Sequence, residues 1–131
     1  MRSHPLSLLA LLAALALGGP ALALEPTPAT KAEIEQLFNR LAASGCTFQR
    51  NGIWYTAADA KDHLQTKYKY LLDKQMLGTA EDFIHQAATK SSVTGKPYAV
   101  KCGAEQVPSA VWLSGQLKEV RAKAGARTGT H

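Results

Sequence analysis

Cys46-Thr47-Phe48-Gln49-Arg50-Asn51-Gly52-Ile53-Trp54-Tyr55-Thr56 is the stretch that decides the fold. Two short runs carrying aromatic and β-branched residues flank Asn51-Gly52, the dipeptide that best tolerates positive φ at both centres of a type I′ turn. The pattern predicts a β-hairpin. Antiparallel partners count outward from a two-residue turn, so Arg50 pairs with Ile53, Gln49 with Trp54 and Phe48 with Tyr55. Side chains alternate across a strand, which puts Cys46, Phe48, Arg50, Ile53 and Tyr55 on one face and Trp54 on the other.

Upstream, Thr30-Lys31-Ala32-Glu33 reads as a capping box, in which hydroxyl and carboxylate each satisfy an orphan N–H at a helix start. Ile34, Leu37, Phe38 and Leu41 follow at i, i+3, i+4, i+7, the stripe of an amphipathic helix that Gly45 ends. Residues 24–29 are a Pro-rich, flexible lead-in. Before them stand a basic start (Arg2), an apolar run from Leu6 to Leu17, a Gly18-Gly19-Pro20 break and small residues at Ala21 and Ala23. That order predicts a secretory signal peptide over residues 1–23 and a working chain of roughly 108 residues. The apolar run is too short to span a bilayer, no later run could cross one, and neither cysteine follows the cleavage site where a lipid would attach. The expected product is soluble and periplasmic or secreted.

Downstream, Thr56 to Asp59 caps a long helix with Ala60, Leu64, Tyr68, Leu71, Leu72 and Gln75 facing the core, stopping before Gly78. Thr79-Ala80-Glu81-Asp82 caps a third helix carrying Phe83, Ile84, Ala87 and Ala88, which runs out at Ser91-Ser92 and a Thr94-Gly95-Lys96-Pro97 turn. Tyr98 to Cys102 reads as a short strand, and a loop follows to Pro108. Ser109 caps a last helix with Leu113, Leu117 and Val120 inward, before a loose tail over residues 125–131. The sum is a single α+β domain over residues 30–124 in the order α-β-β-α-α-β-α. Its three-stranded, mainly antiparallel sheet carries helices packed on one face.

Cys46 and Cys102 are the two cysteines, and in an oxidising compartment an isolated pair is better used as a disulfide than as two thiols. It would close a loop of about 57 residues, worth roughly 4 kcal/mol in the chain-entropy model. With Cys102 and Cys46 on core-facing positions, the bridge is expected to join two strands from inside the core. Without Arg2, 14 Lys and Arg stand against 10 Asp and Glu, a net charge of about +4 scattered along the chain. A nucleic-acid binder concentrates its basic residues on one face, so nucleic acid is not an expected partner.

The string Arg50-Asn51-Gly52, Tyr55, Ala60, His63-Leu64, Lys67, Thr79-Ala80-Glu81, Phe83-Ile84, Ser91-Ser92 and Thr94-Gly95-Lys96-Pro97-Tyr98 resembles the YfeK-like family of short exported bacterial proteins. The likeness covers about residues 46–102. It implies a Gram-negative periplasmic setting, and it carries over no activity and no catalytic residue. The disulfide rests on compartment and placement rather than on the resemblance.

On the long helix, His63, Lys67, Tyr70 and Lys74 form one polar stripe with Asp59 a turn before His63. It reads either as an anion site in which His63 titrates near neutral pH or as a solvated flank with an Asp59–His63 pair. Arg50, on the face of Phe48 and Tyr55, needs a carboxylate or carbonyls, or else an acidic ligand. Trp54 anchors partner or glycan contacts, or is covered by a helix or loop. Thr94-Gly95-Lys96 is not a phosphate loop, since the leading Gly is missing and Pro97 opens a strand. Ser91 or Ser92 with His63 and an Asp would give a nucleophile set, but no spacing demands one. There is no His-x-x-x-His pair, and neither metal nor cofactor is expected.

The first functional reading is a non-enzymatic envelope module that binds another envelope protein, a peptide or an acidic ligand through Arg50, Trp54, Tyr55, His63 and Lys67. The alternatives are a small hydrolase using His63 with a Ser or Tyr hydroxyl, and an accessory structural factor. The hydrolase requires His63, Arg50 and such a hydroxyl to converge in one pocket.

Overall fold

Asn51 and Gly52 have φ of 52° and 82°, the two positive angles of a type I′ turn, and they join β1 (Thr47–Arg50) to β2 (Ile53–Tyr55). The register is the one read from the sequence: Phe48 opposite Tyr55, Gln49 opposite Trp54, Arg50 opposite Ile53. The computed structural model describes residues 22–128, so the predicted signal peptide lies outside the described residues apart from Leu22 and Ala23.

The elements run α1 (Pro28–Ala43), β1, β2, α2 (Ala57–Asp73), α3 (Ala80–Ala87), β3 (Ala99–Cys102), β4 (Glu105–Pro108), α4 (Ser109–Thr128). The fold is α+β, with an antiparallel sheet ordered β2-β1-β3-β4. It has four strands, not three. The stretch expected to be a loop before Pro108 folds back on β3, with Cys102 opposite Glu105 and Ala99 opposite Pro108. Gly103, at φ 66°, supplies the positive angle that this two-residue turn needs. Proline is tolerated there because β4 is an edge strand.

Three element ends also differ from expectation. Thr27, not Thr30, caps α1: its hydroxyl accepts from Thr30 N (3.1 Å), with Pro28 at the position whose missing N–H costs nothing. Pro28 and Ala29 of the expected lead-in are therefore helical, and Leu24 N donates to the Gln75 carbonyl (2.9 Å). α2 ends at Asp73, and Gln75 is exposed at φ 55° rather than buried on the core stripe. Met76 N bonds the Leu71 carbonyl and Gln75 N the Leu72 carbonyl, a Schellman ending with Gln75 in the left-handed position. α4 continues past Gly125 to Thr128.

Ile34, Leu37, Phe38 and Leu41 of α1 are all buried, packed with Leu64, Leu71, Phe83, Ile84, Val100, Leu113 and Leu117. The rings of Phe38, Tyr68 and Phe83 meet at 5.3–5.8 Å between centroids, tilted or edge-on as aromatic clusters prefer. α2 packs on β1, and α4 on β3 and β4. Cys46 and Cys102 are bonded, with Cα atoms 4.5 Å apart. Cys46 is buried but Cys102 is exposed, so the bridge closes the end of the sheet instead of sitting inside the core.

Candidate functional site

Antiparallel register fixes which side chains meet at the other end of β1. Thr47 opposes Lys101 and Gln49 opposes Ala99, so one step further Arg50 stands beside Tyr98. Tyr98 in turn stands beside Ser109, whose N–H donates to the Tyr98 carbonyl (2.9 Å). Ile53, Arg50, Tyr98 and Ser109 thus make one cross-strand row on the face that carries Phe48 and Val100. α2 lies against this row and brings Asp59, Ala60, His63 and Leu64. Between them is a cavity of about 270 Å³, also lined by Tyr55 and Phe48.

The α2 residues arrive there for a local reason. Thr56 caps the helix by accepting from Asp59 N (3.1 Å), which fixes the helix phase, and the i, i+4, i+8 spacing then puts Asp59, His63 and Lys67 on one side. His63 Nε2 is 3.1 Å from the Tyr98 hydroxyl, and Lys67 Nζ donates to that hydroxyl (3.2 Å) and to the Lys90 carbonyl (3.3 Å). Burial, then Arg50, then Lys67 hold the His63 pKa below its ordinary 6.5. Burial and Arg50 lower that of Lys67 too. Burial pushes the Tyr98 hydroxyl up, keeping it protonated, with Arg50 working weakly against it.

Arg50 is half-buried, and its guanidinium sits 4.9 Å from the centroid of the Tyr55 ring. Among the described residues it has neither of the partners expected of it, no carboxylate and no backbone carbonyl. Asp59 forms no pair with His63 either. The predicted polar stripe divides: Asp59, His63 and Lys67 gather at the cavity end, whereas Tyr70 is exposed and keeps company only with Lys74, 5.9 Å from its ring. Trp54 is 37% exposed, lies on the opposite face of the sheet from Arg50 and takes no part in the cavity.

The Ser-based nucleophile is not assembled. Ser91 Oγ accepts from Val93 N and Thr94 N at 3.2 Å and is held by Asn51, which makes it the cap of its own turn, and His63 bonds Tyr98 instead. Ser109 was legible only as a helix start. It is 3% exposed and lines the cavity. Recognising β4 would have found it, because the register of β4 places it next to Tyr98. No group of three His, Cys, Asp or Glu able to hold a metal occurs among the described residues. Nor is any described helix long and apolar enough to cross a membrane.

Fold and site define a small, disulfide-bridged α+β chain with a cavity lined by Arg50, Asp59, His63 and Tyr98 among apolar side chains. The chain belongs to a family of unknown function, DUF5329, which it matches over residues 28–121. Over 69 residues it is 39% identical to the uncharacterized protein YfeK of Salmonella typhimurium (strain LT2), a match covering 52% of this chain and 56% of that relative. The resemblance read from residues 46–102 is thereby shown. No solved structure matches the chain.

Proposed function

We propose that the chain is an exported, non-enzymatic binding module of the bacterial envelope. Its helices cover one face of the sheet and enclose a seat for an acidic ligand. The observation that supports this most is Arg50. A half-buried guanidinium without a carboxylate partner, near enough to His63 and Lys67 to lower both their pKa values, concentrates positive charge in an apolar hollow. Such a group is stabilised by an incoming anion. A cavity of about 270 Å³ suits a small acidic ligand better than a protein surface, so among the envelope partners considered the small ligand is preferred.

The test is an NMR titration of the chain with sodium propionate and, separately, sodium phosphate, following the His63 ring and the Arg50 side-chain N–H. The reading expects saturable shifts with at least one anion, lost in Arg50→Gln. Shifts that neither anion produces well into the millimolar range would refute it.

A hydrolase is favoured by one observation, the His63–Tyr98 bond inside the same cavity as Arg50. Burial keeps that hydroxyl protonated, so Tyr98 would serve as a proton donor rather than a nucleophile. Ester hydrolysis that disappears in Tyr98→Phe would select this reading.

A further inference from the structure

Three polar side chains of different character, Arg50, Asp59 and Ser109, line one small cavity. The Arg50 guanidinium packs over the Tyr55 ring and forms no ion pair among the described residues. Ser109, a residue only 3% exposed, brings its hydroxyl to the cavity wall. The Asp59 carboxylate, at the exposed mouth, pairs with no cation, although this chain does pair carboxylates that a cation can reach: Arg121 holds both Glu33 (2.8 Å) and Glu81 (2.7 Å). Arg50 and Asp59 therefore present opposite charges to the same space without forming an ion pair with each other. Phe48, Ala60 and Leu64 make the remaining wall apolar.

We infer that the cavity takes a free α-amino acid with an apolar side chain. This deepens the proposed anion-binding reading and rests on it. The ligand carboxylate lies between Arg50 and Ser109, which flank Tyr98 in the cross-strand row, and a guanidinium held by no ion pair can turn to meet it. The ammonium on the next carbon reaches Asp59. The side chain packs on Phe48, Ala60 and Leu64. About 270 Å³, roughly nine water volumes at ~30 Å³ each, has room for a free amino acid of leucine's size with water beside it.

Titration calorimetry of the full chain with L-leucine, 4-methylpentanoate (the same carboxylate without the ammonium), 3-methylbutylamine (the ammonium without the carboxylate) and N-acetyl-L-leucine separates the contributions. Leucine is expected to bind about ten-fold tighter than 4-methylpentanoate or N-acetyl-leucine, and the amine not measurably. Asp59→Asn should bind leucine no tighter than 4-methylpentanoate, whose own affinity holds or rises as a carboxylate leaves the cavity. Ser109→Ala should weaken both several-fold, with thermal unfolding confirming that each variant is folded. Equal affinity for leucine and 4-methylpentanoate, or for leucine and N-acetyl-leucine as a peptide terminus would give, overturns the amino-acid seat and leaves the anion reading standing. If none of the four binds although propionate or phosphate moves the His63 and Arg50 resonances, the amino-acid seat again falls alone. Silence from those two anions as well takes the anion reading with it.

Discussion

His63 Nε2 and the Tyr98 hydroxyl stand 3.1 Å apart, and Lys67 donates to the same hydroxyl from 3.2 Å. An ammonium can only donate, so the Tyr98 oxygen accepts from Lys67, and a neutral imidazole protonated on Nδ1 lets Nε2 accept the Tyr98 proton. A charged His63 would turn a second cationic donor onto an oxygen already facing an ammonium, with Arg50 close by. Geometry and charge thus oppose protonation together, in the direction burial also works.

Stability should consequently fall on mild acidification. Because the folded pKa of His63 lies below its ordinary 6.5, the unfolded chain takes up the proton first as the pH drops. The His63 contribution is full above about 6.5 and is lost as the pH falls through the folded value. Urea unfolding at several pH values between 7 and 5 should show a declining midpoint, with a flatter decline in His63→Gln. Identical slopes in the two proteins would contradict the assignment.

At the end of α2, Gln75 occupies a left-handed position, φ 55°, in a Schellman motif. A side chain there costs backbone energy that glycine avoids, and Gln75 is exposed, so its side chain contributes little packing in return. Gln75→Gly should raise stability by about 0.5–1 kcal/mol, read as a higher thermal midpoint.

How much of this was legible in the sequence follows from the range of each constraint. The hairpin register was readable because Asn51-Gly52 admits one turn geometry, and the α1 core because Ile34, Leu37, Phe38 and Leu41 repeat at helical spacing. β4 was missed because Glu105-Gln106-Val107-Pro108 shows neither alternation nor β-branched richness, and its pairing is imposed by the tight turn at Gly103. With β4 went the placement of Ser109. Arg50 was correctly put on the Phe48 face, but its surroundings depend on residues far away in sequence, and no local pattern tells that it meets the Tyr55 ring, the His63 imidazole and the Lys67 ammonium. Gln75 fits the helical period of α2 and fell outside the core only because the helix stops two residues earlier.

The disulfide and the cavity occupy opposite ends of the same strand pair. The register that sets Cys46 beside Cys102 sets Arg50 beside Tyr98 four residues on, about 13 Å away at strand rise. Cys46→Ala with Cys102→Ala should cost roughly 4 kcal/mol, since the bridge closes a separation of 56 residues. Where the protein remains folded, propionate should still shift the His63 resonances. Stability unchanged by the double substitution would show that the bridge is not closed in solution.

Arg50 is the residue at which binding and stability should part company. A cation beside Lys67 and His63, desolvated on one side and matched by no carboxylate, repels its neighbours in the folded state and is freely hydrated in the unfolded one. Its Tyr55 contact compensates only in part, since a cation–π contact at a partly exposed site is worth about 0.5–1 kcal/mol. Arg50→Met keeps the apolar stem and removes the charge. Stability should hold or rise by up to about 1 kcal/mol, the His63 pKa should move upward, and anion binding should weaken at least about ten-fold. Urea unfolding, a His63 NMR pH titration and the propionate titration read the three consequences separately. A marked loss of stability would mean instead that the guanidinium is a structural clamp.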